Sequence, residues 1–293
     1  MKAFGNYHPF ALLTYFVSVF LVAMFVENPI LQLLSLSGAI LYCTVLSKGK
    51  NNSKTIGFYA ILFLVIAFSN PLFSHNGTTS LFFLNGNPVT LEALIYGAFL
   101  AVMLISVMLW FKAFSEIFTT DKFLYLFSKY IPKISLVLCM TLRFIPMLSR
   151  RLQKVNHAQK AMGLYSSDSL ISKLKSTARI FTSMISWALE SAIDTSASMK
   201  ARGYGTGKRS DFAIFKLSSK DIRLLAVTIA LICITICGIA LKAVEFSFYP
   251  SIAEINRSPL AFAVYISFGI LAFLPFIIEL KEAVIWKYSI SKI

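Results

Sequence analysis

Apolar residues fall along this chain in long runs separated by short polar breaks. Six runs stand out: Phe10–Val26, Ile30–Leu46, Ile56–Phe68, Leu91–Phe111, Leu224–Leu241 and Pro259–Ile278. A bilayer core of about 30 Å needs roughly 20 helical residues to cross it. The runs therefore predict an all-α, polytopic membrane protein with about six transmembrane helices. The first two runs reach that length by borrowing flanking residues. Ile56–Phe68 either continues toward Ser74 or dips in without crossing. Between the third and fourth runs, Asn70-Pro71, Asn76-Gly77 and Asn85-Gly86-Asn87-Pro88 read as turns. That connection is expected to be an ordered hairpin or re-entrant piece, with a flexible connector as the alternative.

The pattern changes between the fourth and fifth runs. Pro132 suits a first helical turn, and Ile134 to Leu148 is apolar nearly all round, interrupted by Ser135, Thr141, Arg143 and Pro146. The sequence then turns amphipathic, with Leu148, Leu152, Val155, Gln159 and Met162 stepping by threes and fours. A second pattern starts near the capping pair Ser167-Asp168. It runs through Ile171, Leu174, Ala178, Phe181, Ile185, Ala188 and Ala192, and in the same phase reaches Thr195, Met199 and Arg202. Two helices of on the order of 45–50 Å are predicted. Both are too polar in their distal halves to cross a membrane, so they are expected to lie at its surface and to pack their stripes on each other or on the membrane part.

Composition agrees. Of 293 residues, 57% are hydrophobic and 14% charged, with a mean hydropathy of +0.73, against roughly 25% charged in an average soluble domain. This excludes a soluble enzyme, a disordered chain and a disulfide-rich secreted module. The formal charge is +15, and Lys112–Arg223 holds 19 of the 28 basic residues but only 7 of the 13 acidic ones. With that stretch inside, six crossings leave only Lys242 and Arg257 outside, so the positive-inside rule places both termini in the cytoplasm. A basic excess confined between apolar runs points to a membrane-flanking segment and not to nucleic acid. The expected division is an N-terminal transmembrane domain over 1–111, a cytoplasmic domain over 112–223, and C-terminal transmembrane helices over 224–293. The opening segment is not expected to be a cleavable signal. Cys43, Cys139, Cys233 and Cys237 all lie in apolar sequence and are expected to be buried small side chains, with no metal or disulfide role.

The two insert helices end alike. The first closes Lys160-Ala161-Met162-Gly163 and the second Lys200-Ala201-Arg202-Gly203, a Lys-Ala-x-Gly ending repeated at an interval of 40 residues. Ala lets a partner approach closely, Gly ends a helix in a left-handed conformation, and Arg presents a forked cation. Such a tip suits insertion into a groove on another protein.

On these features the chain resembles the transmembrane T component of energy-coupling-factor (ECF) transporters, the CbiQ-like proteins. That family carries Ala-Arg-Gly motifs at the tips of two cytoplasmic coupling helices. Ala201-Arg202-Gly203 matches in full, whereas Ala161-Met162-Gly163 departs at its centre. His8-Pro9, Asn70–Phe73, Thr90-Leu91-Glu92 and the Arg143-Phe144-Ile145-Pro146 segment are also similar to the family. The resemblance implies that two cytoplasmic ABC ATPases bind the tips and that a separate membrane protein, the S component, captures a vitamin or metal ion. It implies that this chain binds no nucleotide, holds no cofactor and performs no bond chemistry.

Single residues carry particular expectations. Arg202 is expected to pair with acidic groups on one ATPase, and Met162 to fill an apolar groove or to meet a non-identical subunit. Arg143, a charge in apolar sequence, is either functional or snorkels to the headgroups. Pro146 is expected to kink the first coupling helix. Gly97 and Ala101 form a small-residue face that admits a close helix contact, with the S component among the candidates. His8, His75 and His157 are assigned no chemistry. The run Gly203–Lys208 lacks the spacing of a phosphate-binding loop. A permease carrying its own solute is the competing function, disfavoured by few ionisable groups inside the spans; an intramembrane enzyme would need clustered acids, His or metal ligands, which the sequence does not supply.

Overall fold

The computed structural model describes residues 3–47, 53–74, 77–84, 87–163, 170–207, 215–250 and 252–290. The chain divides into two compact units, Met1–Phe123 with Phe215–Ile293, and Leu124–Ile214. Each is taken by itself below.

The first unit contains the apolar helices α1 (Pro9–Phe25), α2 (Pro29–Leu46), α3 (Ser53–Phe73), α4 (Leu91–Ile117), α8 (Ser219–Ala240) and α9 (Pro259–Ile290). Their starts are written in the sequence. His8 Nδ1 accepts from Phe10 N–H, and Asn28 Oδ1 from Ile30 N–H, each followed by Pro at the first helical position. Ser218 and Asp221 form a reciprocal capping box on α8. Ile56–Phe68 is the middle of a 21-residue helix, about 31 Å long and so sufficient to cross. The turn-rich stretch after it contains an antiparallel hairpin, β1 (Ser80–Leu84) and β2 (Asn87–Thr90). Asn76, Asn85 and Gly86 lie outside the described residues.

Small residues set the helix spacing. A Cβ on Gly97 of α4 would come within 2.5 Å of the Ala67 carbonyl oxygen of α3, and one on Gly38 of α2 within 2.9 Å of the Ala272 carbonyl of α9. The small face of α4 is thus taken up within this unit: Gly97 receives α3, and Ala101 is fully buried. Around these contacts sits an aromatic core. Phe4, Tyr15, Phe16, Tyr42 and Trp110 are all fully buried, with the Phe4 ring 5.2 Å from Tyr15 and 6.0 Å from Tyr42, both edge-on. Most polar groups inside are paired, Tyr42 OH and Gln32 Oε1 being exceptions. Trp110 Nε1 donates to Ser35 Oγ at 3.1 Å, Ser35 and Ser106 hydroxyls meet at 2.7 Å, and Tyr15 OH donates to the Leu271 carbonyl at 3.0 Å.

One end of this unit is pinned by ionisable side chains that the sequence does not single out. Asp221 accepts from His8 N–H at 2.8 Å and from Ser218 N–H at 2.7 Å, tying the starts of α1 and α8 together. Glu279 on α9 accepts from Phe4 N–H at 3.0 Å. Lys122 Nζ donates to the Gly5 and Ile117 carbonyls. All three charged groups are buried, and hydrogen bonding to backbone offsets the cost of desolvating them.

Among the described residues, six helices are long and apolar enough to cross a membrane: α2, α3, α4, α8, α9 and, in the second unit, α6 (Pro132–Ala161). The set read from the sequence differs by one member. It includes α1, which at 17 residues is shorter, and it leaves out α6, whose apolar first half is hardly buried.

The cysteine expectation is corrected. Only Cys43 is partly covered, donating to the Leu109 carbonyl at 3.4 Å, while Cys139, Cys233 and Cys237 are exposed. They sit on helix faces that are themselves apolar, so an apolar sequence context here means an outward-facing surface and not a protein core. All four thiols are free, and no cluster of metal-binding side chains occurs among the described residues.

Candidate functional site

After the short amphipathic helix α5 (Thr120–Tyr130), the second unit is built on α6 and α7 (Leu170–Ala201), of 30 and 32 residues, or about 45 and 48 Å. The proposed capping pair Ser167-Asp168 lies outside the described residues. Helix α6 runs unbroken through Pro146, which supplies no N–H for that rung of the ladder. Arg143 is exposed, so its charge is not enclosed among apolar side chains.

Both helix ends close on a left-handed glycine. At the end of α7, Gly203 has φ +79°. Its N–H donates to the Lys200 carbonyl at 3.0 Å, and Tyr204 N–H reaches back to the Met199 carbonyl at 3.0 Å. These two bonds make a Schellman closure, which satisfies the last carbonyls and stops the helix. At the end of α6, Gly163 has φ +72° and its N–H donates to Lys160 O at 3.0 Å, while Met162 N–H donates to Ala158 O at 3.1 Å. A side chain at either glycine would face a disfavoured backbone conformation.

Ala161, Met162, Gly163, Ala201, Arg202 and Gly203 are all exposed. Met162, at 66% exposure, is a bare thioether on one tip. Arg202 is a bare cation on the other, at the negative end of the helix dipole. No hydrogen bond, ion pair or ring contact joins the two ends among the described residues. What they share is local geometry, and what separates them is one side chain.

The packing of the two helices differs from the sequence reading. On α7 the buried row is Ser176, Ile180 and Met184, and one turn on Trp187 stacks on Phe144 of α6, centroids 5.4 Å apart and 14° from parallel. The Arg151 guanidinium lies 5.6 Å from the same indole, a cation–π contact of about 0.5–2 kcal/mol. Phe144 and Arg151 are two turns apart on α6, so one indole bridges both. The predicted apolar stripe of α7 is instead exposed: Ile171 78%, Leu174 70%, Phe181 67% and Ile185 44%. Periodicity identified a stripe correctly but not what covers it. The Phe144–Trp187–Arg151 stack escaped because nothing in a single sequence pairs residues 43 positions apart.

The residues that carried the resemblance prove to have structural work outside this unit. Thr90 Oγ1 caps α4 by accepting from Ala93 N–H, Asn70 Nδ2 donates to the Ala93 carbonyl at 2.7 Å, and Glu92 accepts from the Thr78 and Thr79 hydroxyls at 3.0 and 2.8 Å. They bind the connection after α3 to the start of α4.

Apolar helices long enough to cross a bilayer, interrupted by two long helices with matched glycine-closed ends, define a multi-pass membrane protein of transporter type. The chain belongs to the CbiQ family, described as a cobalt transport protein, whose family model matches residues 8–214. Over 109 residues it is 33% identical to the energy-coupling factor transporter transmembrane protein EcfT of Lactobacillus helveticus (strain DPC 4571), covering 36% of this chain and 39% of that protein. Over 111 residues it is 32% identical to the protein of the same name from Streptococcus equi subsp. equi (strain 4047), covering 37% and 39%. The similarity thus spans about two fifths of these relatives' length.

Proposed function

We propose that this chain is the transmembrane energy-coupling subunit of an ECF-type ABC importer. Two cytoplasmic ABC ATPases seat the tips of α6 and α7, one at Ala161-Met162-Gly163 and one at Ala201-Arg202-Gly203. ATP-driven motion passes along the two helices to an S component in the bilayer, which releases a vitamin or metal ion inward. The chain itself is a non-catalytic subunit of the plasma membrane with both termini cytoplasmic. Residues 1–111 and 224–293 cross the bilayer, and 112–223 form the cytoplasmic coupling domain. In this reading α6 does not cross, because Arg150, Arg151, Lys154 and Lys160 crowd its distal half and would be costly in hydrocarbon.

The observation that carries the reading is the pair of exposed, glycine-closed helix ends on one compact unit. Arg202 offers its fork to carboxylates in an ATPase groove. Met162 offers packing that adapts to an apolar groove. The uncovered stripe Ile171–Leu174–Phe181–Ile185 supplies the apolar face that a membrane partner needs. Arg143 and Pro146 shape the first coupling helix.

The test is gentle purification of the native assembly from its own membranes. Two ATP-hydrolysing subunits and a small membrane protein are expected to come with the chain, and ATP-dependent uptake is expected only when all are reconstituted. Solute import by the chain alone would overturn the reading.

A further inference from the structure

Helices α8 and α9 pack side by side, and at one end they leave a groove of about 380 Å³ that belongs entirely to the first unit. Each helix contributes one face at the spacing i, i+3, i+4, i+7. On α8 these are Lys220, Arg223, Leu224 and Val227; on α9 they are Ile278, Lys281, Glu282 and Ile285, with Leu274 one turn deeper. The helices run in opposite directions through the groove, yet their chemistry is in register. Leu224, Val227, Leu274 and Ile278 line the part toward the middle of the spans, Lys220 and Arg223 stand in the first turns of α8, and Lys281 lines the groove on α9, which continues past Ile285 to Ile290. The groove is thus graded, apolar below and cationic above.

The charges at the rim do not cancel. Three cations face one carboxylate, Glu282. Asp221, next to Lys220, points elsewhere: it is buried and accepts from His8 and Ser218 backbone N–H. Tyr7 also lines the groove. Burial raises its phenol pKa first, then Glu282 and Asp221, with Arg223 opposing, so at neutral pH it stays protonated and can donate a hydrogen bond. A basic rim with a neutral donor above an apolar trough complements a phosphate carried on an acyl chain. A free anion would leave the trough empty, and a neutral lipid would leave the rim unneutralised.

We propose that the α8–α9 groove is a binding site for an anionic glycerophospholipid, with the phosphate held by Lys220, Arg223 and Lys281 and one acyl chain lying along Leu224, Val227, Leu274 and Ile278. The site is independent of the role of the helix tips. Occupied, it closes the seam between the last two spans at the bilayer interface.

The test is native mass spectrometry of the full-length chain in micelles doped with phosphatidylglycerol or with phosphatidylcholine. One retained phosphatidylglycerol per chain is expected, favoured at least about tenfold over phosphatidylcholine. In the double variant Arg223→Gln, Lys281→Gln the affinity for phosphatidylglycerol should fall by on the order of thirtyfold, the loss expected for two basic groups at an anionic headgroup, and the preference should disappear. Lys287→Gln, exposed on α9 outside the groove, should leave it unchanged. Val227→Trp, which fills the trough and spares the rim, should abolish retention while the thermal melt stays like the parent's. Equal retention of both lipids overturns the proposal, as does a preference that survives the double variant. Displacement of the lipid by inorganic phosphate alone would show an anion site with no use for the trough. A photo-crosslinker at Val227 that captures protein instead of lipid in native membranes would assign the groove to a partner subunit.

Discussion

The two units of this chain treat their side chains in opposite ways. The membrane unit hides Trp110, Tyr15, Tyr42, Phe16 and Phe4 completely and pairs most of the polar groups it encloses. The unit of α6 and α7 hides little: Ile180 and Met184 are its buried large apolar residues among those described, while Ile171, Leu174 and Phe181 stand in the open. A substitution in the first unit acts on stability, through cavities and lost internal bonds. In the second it acts on exposed surfaces that the proposed function assigns to partner subunits, so it should change association and leave folding nearly untouched.

The largest effect is expected at the centre of the aromatic core. Trp110→Ala removes a fully buried indole and its bond to Ser35, and should destabilise the membrane unit by about 3–5 kcal/mol, seen as a large drop in the melting temperature of the detergent-solubilised chain. Arg202→Glu should do the reverse. The melt should match the parent's, while ATPase capture in a pull-down falls by about thirtyfold or more, the lower end of the 2–5 kcal/mol for truncating one partner of a buried charge pair. A lowered melt with intact capture would erase the contrast between the units. Gly97→Val puts branched bulk against the Ala67 carbonyl and should cost about 1–3 kcal/mol by overpacking α3 on α4, again without selective loss of capture. The smallest effect is expected from Met162→Arg, which should alter capture by less than about tenfold (1.4 kcal/mol). A larger gain would show that the first groove is as acidic as the second is proposed to be.

Much of this architecture was legible in the sequence because membrane helices announce themselves by long apolar runs and their caps by short-range chemistry. The caps at His8-Pro9, Asn28-Pro29 and Ser218–Asp221 act within four residues, although none of the three was read as a cap from the sequence. The tips were legible for the same reason: Gly163 and Gly203 act on carbonyls of their own last turn. Three things were not. The latch formed by Asp221, Glu279 and Lys122 joins residues far apart in the chain, and each of these looks like an ordinary solvated charge when read alone. The uncovered stripe of α7 could not be told from a packed one, because periodicity reports which residues share a face and not what lies opposite. Three of the four cysteines were misplaced because the outward face of an apolar helix can be as apolar as the inward one: Cys233 and Cys237 lie on α8, and Cys139 in the apolar first half of α6.

The tie between Phe4 N–H and Glu279, 275 residues apart, has a consequence for biogenesis. Phe4 is made long before its acceptor, so this tie cannot form until α9 has been threaded into the lipid. Until then the early helices can pack on α4 but lack this tie, and a chain cut short before α9 would leave Phe4 without its acceptor, a ready target for membrane quality control.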